Sequence, residues 1–367
     1  MKIPKFVFLF LLWSVMALVG VWVPLACTNT ASNFLPTKPS TPVVASATAT
    51  NAFGYTSTPT FTLQPTGTIT YTPTTALTPM TGAVTVCDPS VPNAVALNSA
   101  ATTLYVAGGD GTLSIYPAGS ALVTPVATVT GYNGIMFGDL AGVAVAPSSN
   151  YYVLDSGTAA VYEFDNTNAP VTTWNSYNGM AFSATGPPQG IAVDGSGNVY
   201  VVDTGNNVVD EFTANGAATV AQWGYSGSGS GYFNDPTGIA VGSGSPTTIY
   251  VADMGNGVIQ EFSSPGVFVS QIATVLNPAI VLGLAVDSSG DIFAADYNNY
   301  EVEKYKAPPP SPPVILTAGA PVTLDDQWTG PALPPGSNFG PAGIAFDGTY
   351  LYVADYDNNH VYQVKPH

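Results

Sequence analysis

A tetrapeptide of the form Gly-Ile-Ala-Val returns along this chain at spacings that few architectures satisfy. It reads Ala94–Leu97, Gly142–Val145, Gly190–Val193, Gly238–Val241, Gly283–Val286 and Gly343–Phe346, at spacings of 48, 48, 48, 45 and 60 residues. The clearest copy opens the stretch Pro188–Phe212, which reads as three short strands parted by two turns. Asp194–Asn198 and Asp203–Asn207 are the turns, rich in the Gly, Asn and Asp that left-handed or locally bonded backbone requires. The second strands are Leu104–Ala107, Tyr151–Leu154, Val199–Val202, Ile249–Ala252, Ile292–Ala295 and Leu351–Ala354. An aspartate follows five of them: Asp155, Asp203, Asp253, Asp296 and Asp355; the first unit has Gly108 there. The third strands end in Ile115-Tyr116, Glu163-Phe164, Glu211-Phe212, Glu261-Phe262, Lys304-Tyr305 and Gln363-Val364, and a fourth strand follows in most units, as in Ala218–Trp223.

Four short strands per unit at a period of 45 to 50 residues predict an all-β fold, a six-bladed β-propeller with four-stranded antiparallel blades. The sixth unit ends after three strands. An orphan β-like run, Ala83–Cys87, precedes the first unit. An open ring would expose pairing edges, so this N-terminal run is expected to close the last blade as its outer strand.

The units resemble the NHL repeat, with its proline, Gly-Ile-Ala-Val, Tyr-Val-Ala-Asp, Gly-Asn-Asn and terminal Phe. The crossings match as well: Trp223-Gly224, Gly231-Tyr232-Phe233 and Pro236-Thr237-Gly238. The resemblance covers about residues 82–365. It departs after the Asn pair, where the family often carries Arg or Lys and this chain has Val208, Val258, Glu301 and His360.

Three regions are expected. Residues 1–27 read as an export segment: Lys2 and Lys5, an uncharged run Phe6–Val23, then Pro24-Leu25-Ala26-Cys27. Leu-Ala-Cys resembles a bacterial lipoprotein processing site with Cys27 as the lipidated residue, although Pro24 stands where that pattern wants Leu, Val or Ile. An uncleaved helical anchor and plain secretion are the alternatives. Each places the rest outside the cytoplasm, at a bacterial cell envelope or surface, with membrane contact only through the N-terminal anchor. Residues 28–81 are Thr/Pro-rich without sustained period and read as a disordered tether, spanning roughly 40 Å as a flexible coil. Residues 82–367 are the propeller, interrupted at Ala307–Ala320 by a proline-rich excursion.

Charge narrows the partners. The chain carries 23 acids against 6 lysines and no arginine; from Cys27 onward it is 4 against 23, or −19. That argues against nucleic acid, which needs a basic face. Two histidines, His360 and His367, cannot make a three-histidine zinc site of the kind held by the amidating lyase that the resemblance brings in. No Gly-x-Ser-x-Gly elbow, phosphate loop or spaced Cys pair occurs. No catalytic residue, metal site or cofactor is therefore assigned, and a monomer is expected.

Strand parity puts the turn after strand two on the same face as the crossing into the next blade. That face collects Tyr132, Tyr177, Tyr225, Tyr232, Phe233, Tyr297 and Tyr356 with Asn207, Asn256, Asn299, Asn359 and His360. Aromatics interleaved with amides suit a protein, peptide or glycan; the competing reading is that the rings pack the crossings. The recurring Asp155, Asp203, Asp253, Asp296 and Asp355 are expected to hold turns, because a carboxylate can accept backbone N–H groups two residues on. A single calcium ion in the channel, serving a lactonase- or lyase-like enzyme through channel acids, is the alternative the resemblance leaves open.

Overall fold

The computed structural model describes residues 78–79, 84–87, 90–118, 124–216, 218–242, 246–274, 279–306, 324–330 and 337–366. The export segment with Cys27, the tether up to residue 77 and the proline-rich excursion lie outside them. No helix among the described residues is long and apolar enough to cross a membrane.

Six antiparallel sheets form the six blades of a β-propeller. Blade two shows the pattern: Leu140–Val145, Tyr151–Asp155, Ala160–Phe164 and Pro170–Trp174, paired in that order from the channel outward. Every residue of Tyr151–Asp155 and Ala160–Phe164 is buried, whereas Pro170–Trp174 has none buried. A strand covered on both faces by neighbouring blades needs a continuous apolar run; an outermost strand faces water on one side and alternates.

The ring closes as the repeat count requires. Val84–Cys87 pairs antiparallel with His360–Val364, so blade six takes its outer strand from the N-terminal side. A shared core seals the same seam, with Val95, Leu104 and Tyr116 of blade one against Tyr352, Ala354 and Val361 of blade six. The pairing also begins earlier than the expected boundary at residue 82. Thr78–Pro79 adds to the edge of blade five, parallel to Leu324–Thr329.

The recurrent glycine of the tetrapeptide has a steric cause. The six innermost strands converge on the channel, and neighbouring backbones touch there. A Cβ on Gly283 would lie 2.3 Å from the carbonyl oxygen of Ala342, and one on Gly343 would lie 2.4 Å from Cα of Ala94. In blade one the position is Ala94, whose backbone is what a side chain on Gly343 would strike.

Substituting Gly283→Ala should therefore strain two innermost strands at once and destabilise the fold by about 1–3 kcal/mol. Chemical denaturation monitored by tryptophan fluorescence checks this; an unchanged midpoint would remove backbone contact as the reason for the glycine.

Candidate functional site

Each of the five recurring aspartates ends a second strand and turns inward to hold the crossing that enters its own blade. Asp253 accepts the Asn234 backbone N–H at 2.8 Å, and its other oxygen accepts the side-chain amides of Asn256 and Gln260, both at 2.7 Å. Asp203 accepts Ser183 N–H at 3.1 Å and Asn206 Nδ2 at 2.7 Å. Asp296 accepts Ile280 N–H and Asn299 Nδ2, and Asp355 accepts Gly340 N–H and Asn358 Nδ2. In blade two Asp155 takes Gly138 and Asp139 N–H from the crossing, with Thr158 in the place of the asparagine. Burial pushes the carboxyls of Asp203, Asp253 and Asp355 up, against the pull of these donors. Blade one has Gly108 because Ser90 fills the space: a Cβ there would lie 2.5 Å from the Ser90 hydroxyl.

On the face carrying these turns the channel widens into an open cavity of about 500 Å³ to which all six blades contribute. Asn93, Asp139, Gln189, Thr237, Tyr297 and Tyr356 are among its lining residues. Asn93 Nδ2 donates to Asp139 Oδ1 at 2.9 Å, and burial raises the Asp139 carboxyl above its ordinary range. Tyr297 and Tyr356 meet edge to face at 6.4 Å, and the Tyr297 hydroxyl donates to Asp357 Oδ1 at 3.1 Å.

The expected binding face thus divides into two regions. Tyr297 and Tyr356 stand at the mouth. Tyr132, Tyr177, Tyr225, Tyr232 and Phe233 belong to crossings, several of which fold back onto the third strand of the next blade. Tyr132 lies 5.5 Å from Phe164, Tyr177 lies 5.8 Å from Phe212, and Phe233 lies 5.6 Å from Phe262. Phe233 is completely buried and Tyr132 nearly so; both leave the candidate face, because inter-blade packing claims their rings. Tyr177 is half-buried in the same role. Tyr225 and Tyr232 remain exposed, at 72% and 47%, with ring centroids 6.4 Å apart.

The amides are engaged likewise. Asn256 and Asn299 bond the aspartate of their own turn, and Asn207 Oδ1 accepts Asp235 N–H at 3.0 Å. These groups hold backbone. Asn359 is exposed in the left-handed region at φ +57°. His360 is half-buried, its ring parallel to Tyr362 at 5.8 Å and its Nδ1 bonded to the Asn358 carbonyl. Among the described residues no group of three or more His, Cys, Asp or Glu is placed to hold a metal.

Two features escape the sequence reading. Tyr132-Asn133-Gly134-Ile135 and Tyr177-Asn178-Gly179-Met180 are tight hairpins inserted in consecutive crossings. Their Asn-Gly tips, with positive φ at both residues, were the available signal. The other feature is a set of buried acids on third strands. Burial raises Asp210 to about 7, with Gln222 Nε2 at 2.7 Å pulling the other way and Asp203 adding to the rise; Glu303 also stands at about 7.

No protein-family model and no curated protein matches this sequence. Solved structures do. The chain is similar to the hydrazine synthase of Kuenenia stuttgartiensis, at 13% identity and TM-score 0.51, over 81% of this chain and 99% of that one. It is similar to the Cps50 (Swd1) propeller domain of Myceliophteria thermophila, at 10% identity and TM-score 0.52, over 78% and 99%. Virginiamycin B lyase from Staphylococcus aureus follows, at 11% and 0.50, over 76% and 96%. At such identities the likeness establishes the propeller fold alone.

Two outcomes are expected. Asp253→Ala strips three donors of their acceptor and should cost about 2–4 kcal/mol, at roughly 1–3 kcal/mol for each buried group left unpaired and partly offset by relaxation; equilibrium unfolding measures it. Asp210 binds its proton more tightly folded than unfolded. Its contribution to stability therefore falls as pH rises from the unfolded carboxyl value near 4 through about 7. Asp210→Asn should melt increasingly above the parent between pH 5 and pH 8. A gap that stays constant or reverses in calorimetry would contradict the assignment.

Proposed function

We propose that this chain is an envelope-tethered, non-catalytic propeller of NHL type that binds a protein, peptide or glycan at the channel mouth. The observation that carries this reading is the composition of that cavity. Two tyrosine rings, Tyr297 and Tyr356, stand beside amide, hydroxyl and carboxylate groups supplied by different blades. Rings offer stacking area at low entropic cost, and the mixed donors and acceptors match a neutral polar chain. Concave sites of this size that combine apolar area with a few convergent polar groups are the usual form of a ligand pocket. The repeat pattern, the Gly-rich crossings and the latched turns support the NHL assignment, and Lys2, Lys5 and the Phe6–Cys27 segment support export and anchoring at the envelope. The two structural neighbours named as a synthase and a lyase show that such a scaffold can serve enzymes; the arrangement of residues here favours binding.

Screening the full chain on glycan and peptide arrays tests the proposal. Ligands are expected whose affinity drops about 30-fold in Tyr356→Ala, the effect of losing a hot-spot side chain worth about 2 kcal/mol. The exposed pair Tyr225→Ala/Tyr232→Ala reports whether the flank takes part. Calcium-dependent turnover of lactones, abolished in Asp139→Asn, would replace this reading with the enzymatic one.

A further inference from the structure

On the opposite face a second recess of about 300 Å³ lies between blades two and three. Glu163, Asn150, Tyr152, Val171, Ser196 and Asn215 are among its lining residues. Glu163 is 2% exposed. Its Oε1 accepts Asn150 Nδ2 at 2.8 Å and the Tyr152 hydroxyl at 3.3 Å, while its Oε2 is buried with no hydrogen-bond partner. A buried carboxylate oxygen without a donor is costly and needs a reason.

The repeat supplies an internal comparison. Glu163 pairs in register with Tyr152, and the same rung in blade five pairs Lys304 with Phe293. There the charges are balanced within the protein: Lys304 and Lys306 both reach the buried Asp291 at 3.1 Å, and Lys306 reaches Asp325 at 2.9 Å. All ion pairs among the described residues lie in that blade. The rung of blade two carries the acid without the lysine, beside an open recess whose wall includes the apolar Val171.

We propose that this recess binds a primary alkylammonium group, with Glu163 as its counter-charge. The ammonium donates to the Glu163 carboxylate, supplying from a ligand the cation that blade five supplies from its own lysines, and the alkyl chain runs along Val171. A free amine and a lysyl side chain share this chemistry.

Calorimetric titration of the full chain with n-butylammonium, 1-pentanol and Nα-acetyl-lysine N-methylamide tests it. Saturable binding of n-butylammonium is expected, with none by 1-pentanol. Glu163→Gln should weaken it at least tenfold. Glu211→Gln, the same rung of blade three, should not, because Glu211 also has a buried unpartnered Oε2 but is not among the lining residues of the recess. Binding of the lysine derivative as well would assign protein or peptide lysines; its failure would assign free amines. Should Glu163→Gln fail to fold, Val171→Trp, at an exposed wall position, must abolish binding instead. No saturable binding by the parent, equal binding of 1-pentanol, or binding unchanged in the folded Glu163 or Val171 variant would overturn the proposal.

Discussion

One buried carboxylate per blade, from the second blade onward, holds the chain's path between blades. A carboxylate removed from water is tolerated only when its oxygens are satisfied. At Asp253 the partners come from three places: the incoming crossing, the turn and the third strand. The penalty of burial is thus converted into specificity. If the crossing were displaced, Asp253 would lose the Asn234 backbone donor and keep one oxygen buried without a partner. The turn conformation follows from the same bonds, since the residue four positions on is left-handed in each case: Ala159, Asn207, Gly257, Tyr300 and Asn359. The channel mouth is built from these turns and the starts of the innermost strands, so its shape depends on the latches.

The parts of this design set by period and composition were readable without coordinates. Six tetrapeptides give six blades, and an unpaired β-like run ahead of the first unit gives the closing strand. The aspartates were assigned to turns because five copies of one residue in one context point to architecture. The turn explanation was incomplete. Local bonding is only half of the role, and the other half, the grip on a crossing 15 to 20 residues earlier, is a tertiary contact.

The candidate face was less legible, for a geometrical reason. Strand parity tells which end of a blade a loop leaves. It does not tell whether the loop then runs inward over the channel or outward onto the next blade's third strand. Tyr132, Tyr177 and Phe233 take the second course, and Phe164, Phe212 and Phe262 receive them. Aromatic pairs of this kind contribute about 0.5–1.5 kcal/mol beyond burial, so the packing sites outcompete exposure. The third-strand acids were visible as Glu-Phe endings, yet their burial is fixed by register. The aligned endings show Glu163 and Lys304 at one repeat position; the pairing of Tyr152 with Glu163 and of Phe293 with Lys304 shows which side chains share that rung.

Departures from the repeat are therefore more informative than its regularities. Tyr300 occupies the left-handed turn position at φ +60°, where equivalent residues are mostly Asn or Gly. A bulky side chain in that region costs on the order of 1–3 kcal/mol. Its hydroxyl accepts Asn338 Nδ2 at 3.2 Å, an exposed bond too weak to offset that cost. Within three residues stands Tyr297, on the lining of the mouth. The scaffold does not require a tyrosine at this turn, since four other blades with the same latch manage with smaller residues. Tyr300 is itself 41% exposed, in the turn that carries Tyr297 to its contact with Tyr356.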